Sequence, residues 1–233
     1  MTPYSTSFSL YGSGVIGMSD IANPVVYTDE QNALVAAKRN DAAFTHHDWG
    51  HVELEAFRSH VRNHYRTEQR GICAFCREHV SLQAAENCQV EHIVPKSIRP
   101  EFMFEPKNLC VICADCNTIK RDQEVTATIP DTVAPRRGRQ RYPRASSSFL
   151  IVHPHFDRYS DHILIERGHY FDRTDKGHFT IGACKLNRRL RVFGWDERIV
   201  EEPKLMDAAQ QLLESKPGVE RQAALQRIRE VLQ

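Results

Sequence analysis

Residues 71–76 read GICAFC, residues 90–97 read VEHIVPKS, and residues 108–122 read NLCVICADCNTIKRD. Two Cys-x-x-C pairs, Cys73/Cys76 and Cys113/Cys116, bracket a Glu91-His92 step, and Asn117 follows the last cysteine directly. Thiolates from two such knuckles supply four soft ligands in tetrahedral geometry, the donor set of a closed structural zinc site. In an intracellular chain this spacing points to metal rather than to disulfides. Cys110 is in phase with the second knuckle, so Cys110/Cys113 is a rival pair. Cys113/Cys116 is preferred because the knuckle then leads into the helix that carries Asn117. Cys110 falls on the preceding strand as a buried thiol, and the isolated Cys88 and Cys184 are assigned to the core.

Between the knuckles lies a different chemistry. Successive strand residues point to opposite faces, so Glu91 and His92 can serve one site only where the strand ends and the chain turns. Pro95 is consistent with that end, because proline cannot continue a central strand. A carboxylate holds hard divalent ions, and a neutral imidazole takes a proton from water near pH 7. Asn117, at the expected helix start, offers an amide oxygen as a second ligand to Mg²⁺ or Mn²⁺.

Upstream, residues 28–41 predict a helix with Thr28 and Gln31 as a capping box. THHDWG (45–50) reads as a turn. Leu54, Phe57, Val61 and Tyr65 recur at helical spacing and predict a helix over 51–70 that Gly71 ends. His46, His47, His51, His60 and His64 crowd this region and are read as surface histidines. Residues 1–28 carry no Lys or Arg and read as a mobile tail, with an arm that orders on a partner as the sharper alternative.

Downstream, residues 125–148 hold three prolines and the run PRRGRQRYPR, and read as a linker or long loop. Arg136, Arg137, Arg139 and Arg141 lie in that run and are candidate nucleic-acid contacts, with a solvated connector as the equal alternative. FLIV (149–152) and residues 162–165 predict strands, and Asp175-Lys176-Gly177 predicts a hairpin turn. His153, His155 and Asp157 read as a structural turn. From Cys184 the pattern is helical, with Leu205, Ala209, Leu212 and Leu213 on one face and Leu225, Ile228 and Leu232 on another. The expected organisation is an N-terminal arm and helix over 1–50, a core over 51–124, a linker over 125–148 and a C-terminal α/β block over 149–233.

The whole chain of 233 residues is 41% hydrophobic and 26% charged with net charge +1, an ordinary globular composition that advertises no polyanion partner by itself. No apolar run is long enough to span a bilayer, and the N-terminus lacks the basic start and apolar block of a secretory signal. A cytoplasmic address with no membrane partner is the expectation.

Taken together, C-x-x-C, acid-His-Ile-x-Pro, Asn-Leu and C-x-x-C-Asn-x-x-Lys over residues 73–122 resemble the HNH nucleases with a ββα-metal core. The resemblance implies an α+β fold: a ββα-metal core stapled by a four-Cys zinc, flanked by an N-terminal helical region and a mixed, mainly helical C-terminal region. It implies that His92 is the general base, that Glu91 and Asn117 hold the catalytic ion, and that Asn108 orients the loop carrying the base. The reaction implied is phosphodiester hydrolysis, DNA being favoured as substrate. Lys96 or Lys120 would neutralise a nearby phosphate. Outside this core, HYRTEQRGICAFC (64–76), HPHFD (153–157), DRTDKGHFTI (172–181) and LNRR (186–189) resemble HNH proteins of bacterial anti-phage systems, nearest the Septu nuclease subunit, which implies an ABC-type ATPase partner. A stand-alone restriction-type or RNA-cleaving nuclease, and a non-catalytic zinc-binding nucleic-acid module, are the alternatives.

Overall fold

The computed structural model describes residues 19–135, 141–194, 203–216 and 218–232. Arg136, Arg137 and Arg139 lie outside them, as do residues 1–18.

Thr28 opens helix α1 (Asp29–Asn40) with the predicted capping box: its hydroxyl accepts the Gln31 N–H, and Gln31 returns a side-chain oxygen to the Thr28 N–H. The pair satisfies donors that a helix start leaves free. THHDWG forms a 3₁₀ turn, His46–Gly50, closed by a second capping box between Thr45 and Asp48. Helix α2 (Glu55–Glu68) follows, and its stripe of Phe57, Val61 and Tyr65, led by Leu54, is buried as predicted. Gly71 ends the segment at φ 70°, a conformation that favours glycine.

Residues 19–28 pack over α2 as a strap. Tyr65 Oη accepts the Val25 N–H at 3.0 Å and donates to Pro106 O at 2.7 Å. His60 Nε2 lies 3.1 Å from Val26 O and His64 Nε2 2.8 Å from Asn23 O. These two histidines therefore tie the strap to α2, rather than standing free at the surface.

Beneath α2 lie two antiparallel strands, β1 (Gln89–His92) and β2 (Leu109–Ile112), with Glu91 opposite Cys110 and His92 opposite Leu109. All four β2 residues are buried. Gln69 docks on this strand: its amide accepts the Val111 N–H at 2.7 Å and donates to Val111 O at 2.9 Å, as a neighbouring backbone would. Helix α3 (Ala114–Val125) then starts at Cys113, whose Sγ accepts the Cys116 N–H.

Within the Pro-rich segment, Thr132, Val133 and Tyr142 are buried, Val133 and Tyr142 in a cluster with Val94, Phe102 and Phe149. FLIV is not a strand: Phe149 makes one isolated bridge to Val133. After α4 (Tyr159–His162), the predicted strand at 162–165 appears as β3 (Ile163–Glu166), paired with β4 (His169–Asp172). Their turn is Arg167-Gly168, both at positive φ as a two-residue hairpin requires. The expected turn at Asp175-Lys176-Gly177 is instead the first turn of α5 (Asp175–Ala183), because Thr174 caps it by accepting the Gly177 N–H. Gly177 serves close packing, since a Cβ there would sit 2.0 Å from His162 O. Helix α6 (Arg188–Phe193) precedes the pair α7 (Pro203–Glu214) and α8 (Val219–Leu232). Ala208, Leu212, Ala224, Leu225 and Ile228 form their shared core, whereas Leu213 is 78% exposed and off the predicted face.

The described residues form a mixed α+β fold with two small antiparallel sheets, the class the sequence predicts. No helix among the described residues is long and apolar enough to cross a membrane.

HPHFD joins the two halves. His153 Nδ1 accepts the His155 N–H at 3.2 Å, so Nε2 carries the proton and donates to Tyr142 Oη at 2.7 Å. His155 Nε2 donates to Leu109 O at 2.8 Å. Asp157 accepts from Ser146, Lys176 and the His153 N–H. Burial pushes the Asp157 carboxyl up, but His162, Lys176, Ser146 and the His153 N–H outweigh it and hold the group well below its usual range. A depressed folded pKa contributes stability above the unfolded value of about 4, lost as pH falls through the folded value. Asp157→Asn is expected to cost about 3 kcal/mol at neutral pH, since it leaves the half-buried Lys176 uncompensated. It should also flatten the loss of stability on acidification. Urea titrations at neutral and acidic pH check both, and an unchanged pH slope overturns the assignment.

Candidate active site and metal centre

Cys73, Cys76, Cys113 and Cys116 are buried and bring their Sγ atoms within 4.8 Å of one another. Cys76 Sγ and Cys113 Sγ are 3.5 Å apart. Zinc–sulfur bonds of about 2.3 Å in a tetrahedron space the sulfurs about 3.8 Å apart, so the donor set fits that ion. Burial pushes the Cys73 thiol up, while S–H donors from Cys116, Cys73 and Cys76 pull Cys113 down. These thiols share protons that a divalent ion replaces. Cys110 is outside the cluster, fully buried on β2 opposite Glu91. The choice of Cys113/Cys116 as the second knuckle is thus the observed one, and Cys113 caps the helix it was expected to lead into. Two tyrosines of the C-terminal block brace the first knuckle: Tyr159 Oη donates to Phe75 O at 2.7 Å, and Tyr170 Oη donates to Cys76 O.

A cleft of about 590 Å³ is bordered by β1 and by α3, the helix that Cys113 caps. Glu91, His92, Lys96, Asn117 and Lys120 all line it. Gln89 and Val90 border it as well, so the cleft runs along β1 and not only past its end at His92. His92 is 4% exposed, with Trp49 edge-on at 4.5 Å between ring centroids. Its Nε2 lies 3.1 Å from Met103 O. A carbonyl only accepts, so Nε2 carries the proton and the Nδ1 lone pair is left free. Burial first, then the Lys96 ammonium, pulls the His92 pKa down to about 3, so the ring is neutral at pH 7.

Asn108 fixes the turn after His92. It is completely buried; its Oδ1 accepts the Val94 N–H at 2.7 Å, and its Nδ2 donates to Val94 O at 3.1 Å and Phe102 O at 3.0 Å. Thr132 Oγ1 donates to Ile93 O at 2.8 Å. Four hydrogen bonds thus pin the backbone of residues 93–94 and 102.

Asn117 is half-buried on the first turn of α3, and its side-chain amide makes no hydrogen bond with a described residue. Lys120, one turn on, donates to Glu91 Oε1 and to the His92 carbonyl. Its ammonium marks a point where a carboxylate and a carbonyl oxygen converge on a cation. A carboxylate and a carbonyl oxygen are donor types that hard divalent ions take, and Asn117 borders the same cleft. Burial pulls the Lys120 pKa down to about 8. Lys96 is 3.8 Å from Glu124. Arg141 is exposed and does not border the cleft.

Sequence reading missed the upper part of the cleft. His46, His47 and Trp49 come from the 3₁₀ turn, far from residues 71–122 in sequence, and Arg121 from α3. The clustering of histidines at 46–64 was visible, but no periodicity ties a short 3₁₀ turn to a distant strand. Compared with models of known protein families and with curated proteins, the chain matches none of them.

Proposed function

We propose that this cleft is the active site of a metal-dependent nuclease of the HNH type, built on β1, β2 and α3 as a ββα-metal core. The observation that carries the reading is that Glu91, His92 and Asn117 border one cleft, Asn117 directly following Cys116 of the four-cysteine cluster on α3. His92 Nδ1 takes a proton from a water placed in line with the scissile bond. That water oxygen bonds to phosphorus, the bond from phosphorus to the 3′ oxygen breaks, and the leaving oxygen gains a proton from solvent. The products are a 5′-phosphate and a 3′-hydroxyl. Asn108 holds the turn that aims His92. Glu91 and Asn117 would hold Mg²⁺ or Mn²⁺, which when bound supplies positive charge to the phosphate and leaving oxygen. With that ion bound, Lys120, now paired with Glu91, would be freed as an ammonium for a phosphate.

The resemblance of the flanks supports a role in anti-phage defence beside an ATPase partner. The test is cleavage of duplex DNA, single-stranded DNA and tRNA, with and without the partner, in Mg²⁺, in Mn²⁺ and in chelator. Cleavage that requires the divalent ion is the expected result. No cleavage of any substrate, partner present, would leave only a zinc-bearing nucleic-acid module.

A further inference from the structure

The cleft is larger than its catalytic end. Beyond Glu91, His92 and Asn117 it is bordered by five basic residues, Arg58, Arg62, Lys96, Lys120 and Arg121, against three acids, Glu55, Glu91 and Glu124. The lining is therefore net positive before any histidine is counted. Most of those cations are committed: Arg58 and Arg62 face Glu55, and Lys120 is on Glu91. Arg121 is exposed and makes no hydrogen bond or ion pair with a described residue.

His46 and His47 are likewise uncommitted. Their rings lie 3.9 Å apart, centroid to centroid, and neither ring makes a hydrogen bond to a described residue. Burial, then His47 and Lys96, holds His46 below its usual pKa, and Lys96 lines the same cleft. The Thr45–Asp48 capping box fixes the turn that carries both histidines, so their position does not depend on their own contacts. On α3, Asn117 and Arg121 are four residues apart and share a face, Arg121 about 6 Å further along the axis. That step is comparable to the distance from one phosphate to the next along a strand.

We propose that His46, His47 and Arg121 form a phosphate-gripping subsite for the nucleic-acid strand, next to the scissile phosphate. This deepens the nuclease reading and rests on it. Imidazole N–H groups and a guanidinium fork are the donors that phosphate oxygens take, and they grip the backbone without reading sequence. The 3₁₀ turn thereby makes a segment outside residues 71–122 part of the substrate site.

The experiment is fluorescence anisotropy of a labelled single-stranded DNA, and of its duplex, without divalent ions, so that binding is read apart from cleavage. The paired change His46→Ala/His47→Ala and the single change Arg121→Ala should each weaken binding about tenfold, and Arg121→Ala should reduce the salt slope by about one. In the cleavage assay both should raise KM more than they lower kcat. Thermal melts should match the parent. Unchanged affinity in both variants overturns the subsite while leaving the nuclease reading intact if the parent cleaves. A loss of binding that tracks a loss of folding assigns these residues a structural role and also overturns it. A parent that neither binds nor cleaves any strand removes both proposals together.

Discussion

Cys73→Ser is expected to release zinc and to abolish cooperative unfolding. The cluster sits inside the main core rather than at its edge. The four cysteines pack in one continuous cluster with Phe57, Val61 and Tyr65 of α2, Ile112 of β2, and Tyr159 and Tyr170 of the C-terminal block. A structural zinc site contributes about 10–16 kcal/mol of apparent binding free energy, as large as the whole stability of a typical domain, about 5–15 kcal/mol. Without the ion, four buried thiols whose pKa values are pulled apart must share protons in its place. The losses spread, because the carbonyls of Phe75 and Cys76 are the anchor points of Tyr159 and Tyr170. Metal content by mass spectrometry and a thermal melt followed by circular dichroism give the two readouts, and a strong chelator should reproduce the effect in the parent. Cys110→Ser is the control. Burial holds the Cys110 thiol protonated, and its loss leaves one poorly paired hydroxyl at a cost of about 1–3 kcal/mol with zinc retained. A folded, zinc-free Cys73→Ser protein would refute the four-cysteine site.

The metal centre was readable from sequence because its information is local. Each Cys-x-x-C pair is a complete knuckle, and the requirement that Asn117 begin a helix decided between Cys110 and Cys113. Pro95 marked the end of β1 for the same reason: a proline acts on its own backbone. The capping box at Thr28 and the stripe on α2 are also local, and both are observed. What was not readable depends on partners distant along the chain. Trp49 lies against His92, Gln69 completes the edge of β2, and Lys120 turns onto Glu91. None of these pairings has a period or a spacing. The mistaken turn at 175–177 has a different origin. Asp-Lys-Gly suits a hairpin turn, but Gly177 is required by the approach of the His162 carbonyl, and Thr174 supplies the cap that makes the segment helical. FLIV failed as a strand because its backbone finds only one bridge, Phe149 to Val133, although Phe149, Ile151 and Val152 are buried and only Leu150 is exposed.

His92→Ala and His92→Gln should each lower the rate of cleavage by a factor of about 10²–10⁴, the usual worth of a positioned general base. The two variants separate chemistry from folding. Alanine removes the ring that Trp49 packs against and leaves the buried Met103 carbonyl without its donor, which should cost about 2 kcal/mol of stability. Glutamine keeps an N–H for that carbonyl and much of the volume but has no basic lone pair to replace Nδ1. If His92 is the base, glutamine should restore the melt more than the rate. Were the ring only a packing element, rate and melt would recover together, and the assignment would fail. Binding of Mn²⁺, followed by electron paramagnetic resonance, should survive both changes, because Glu91 and Asn117 are untouched. The same geometry explains why neutrality matters here. Burial and the Lys96 ammonium keep the imidazole unprotonated at pH 7, leaving its free nitrogen open but less basic than an ordinary imidazole. The bond from Nε2 to Met103 O keeps that free nitrogen at Nδ1, and the Asn108 bonds to Phe102 and Val94 hold the chain on either side. A single-turnover assay under saturating Mg²⁺ isolates the chemical step, and parental rates in either variant would move the base elsewhere in the cleft.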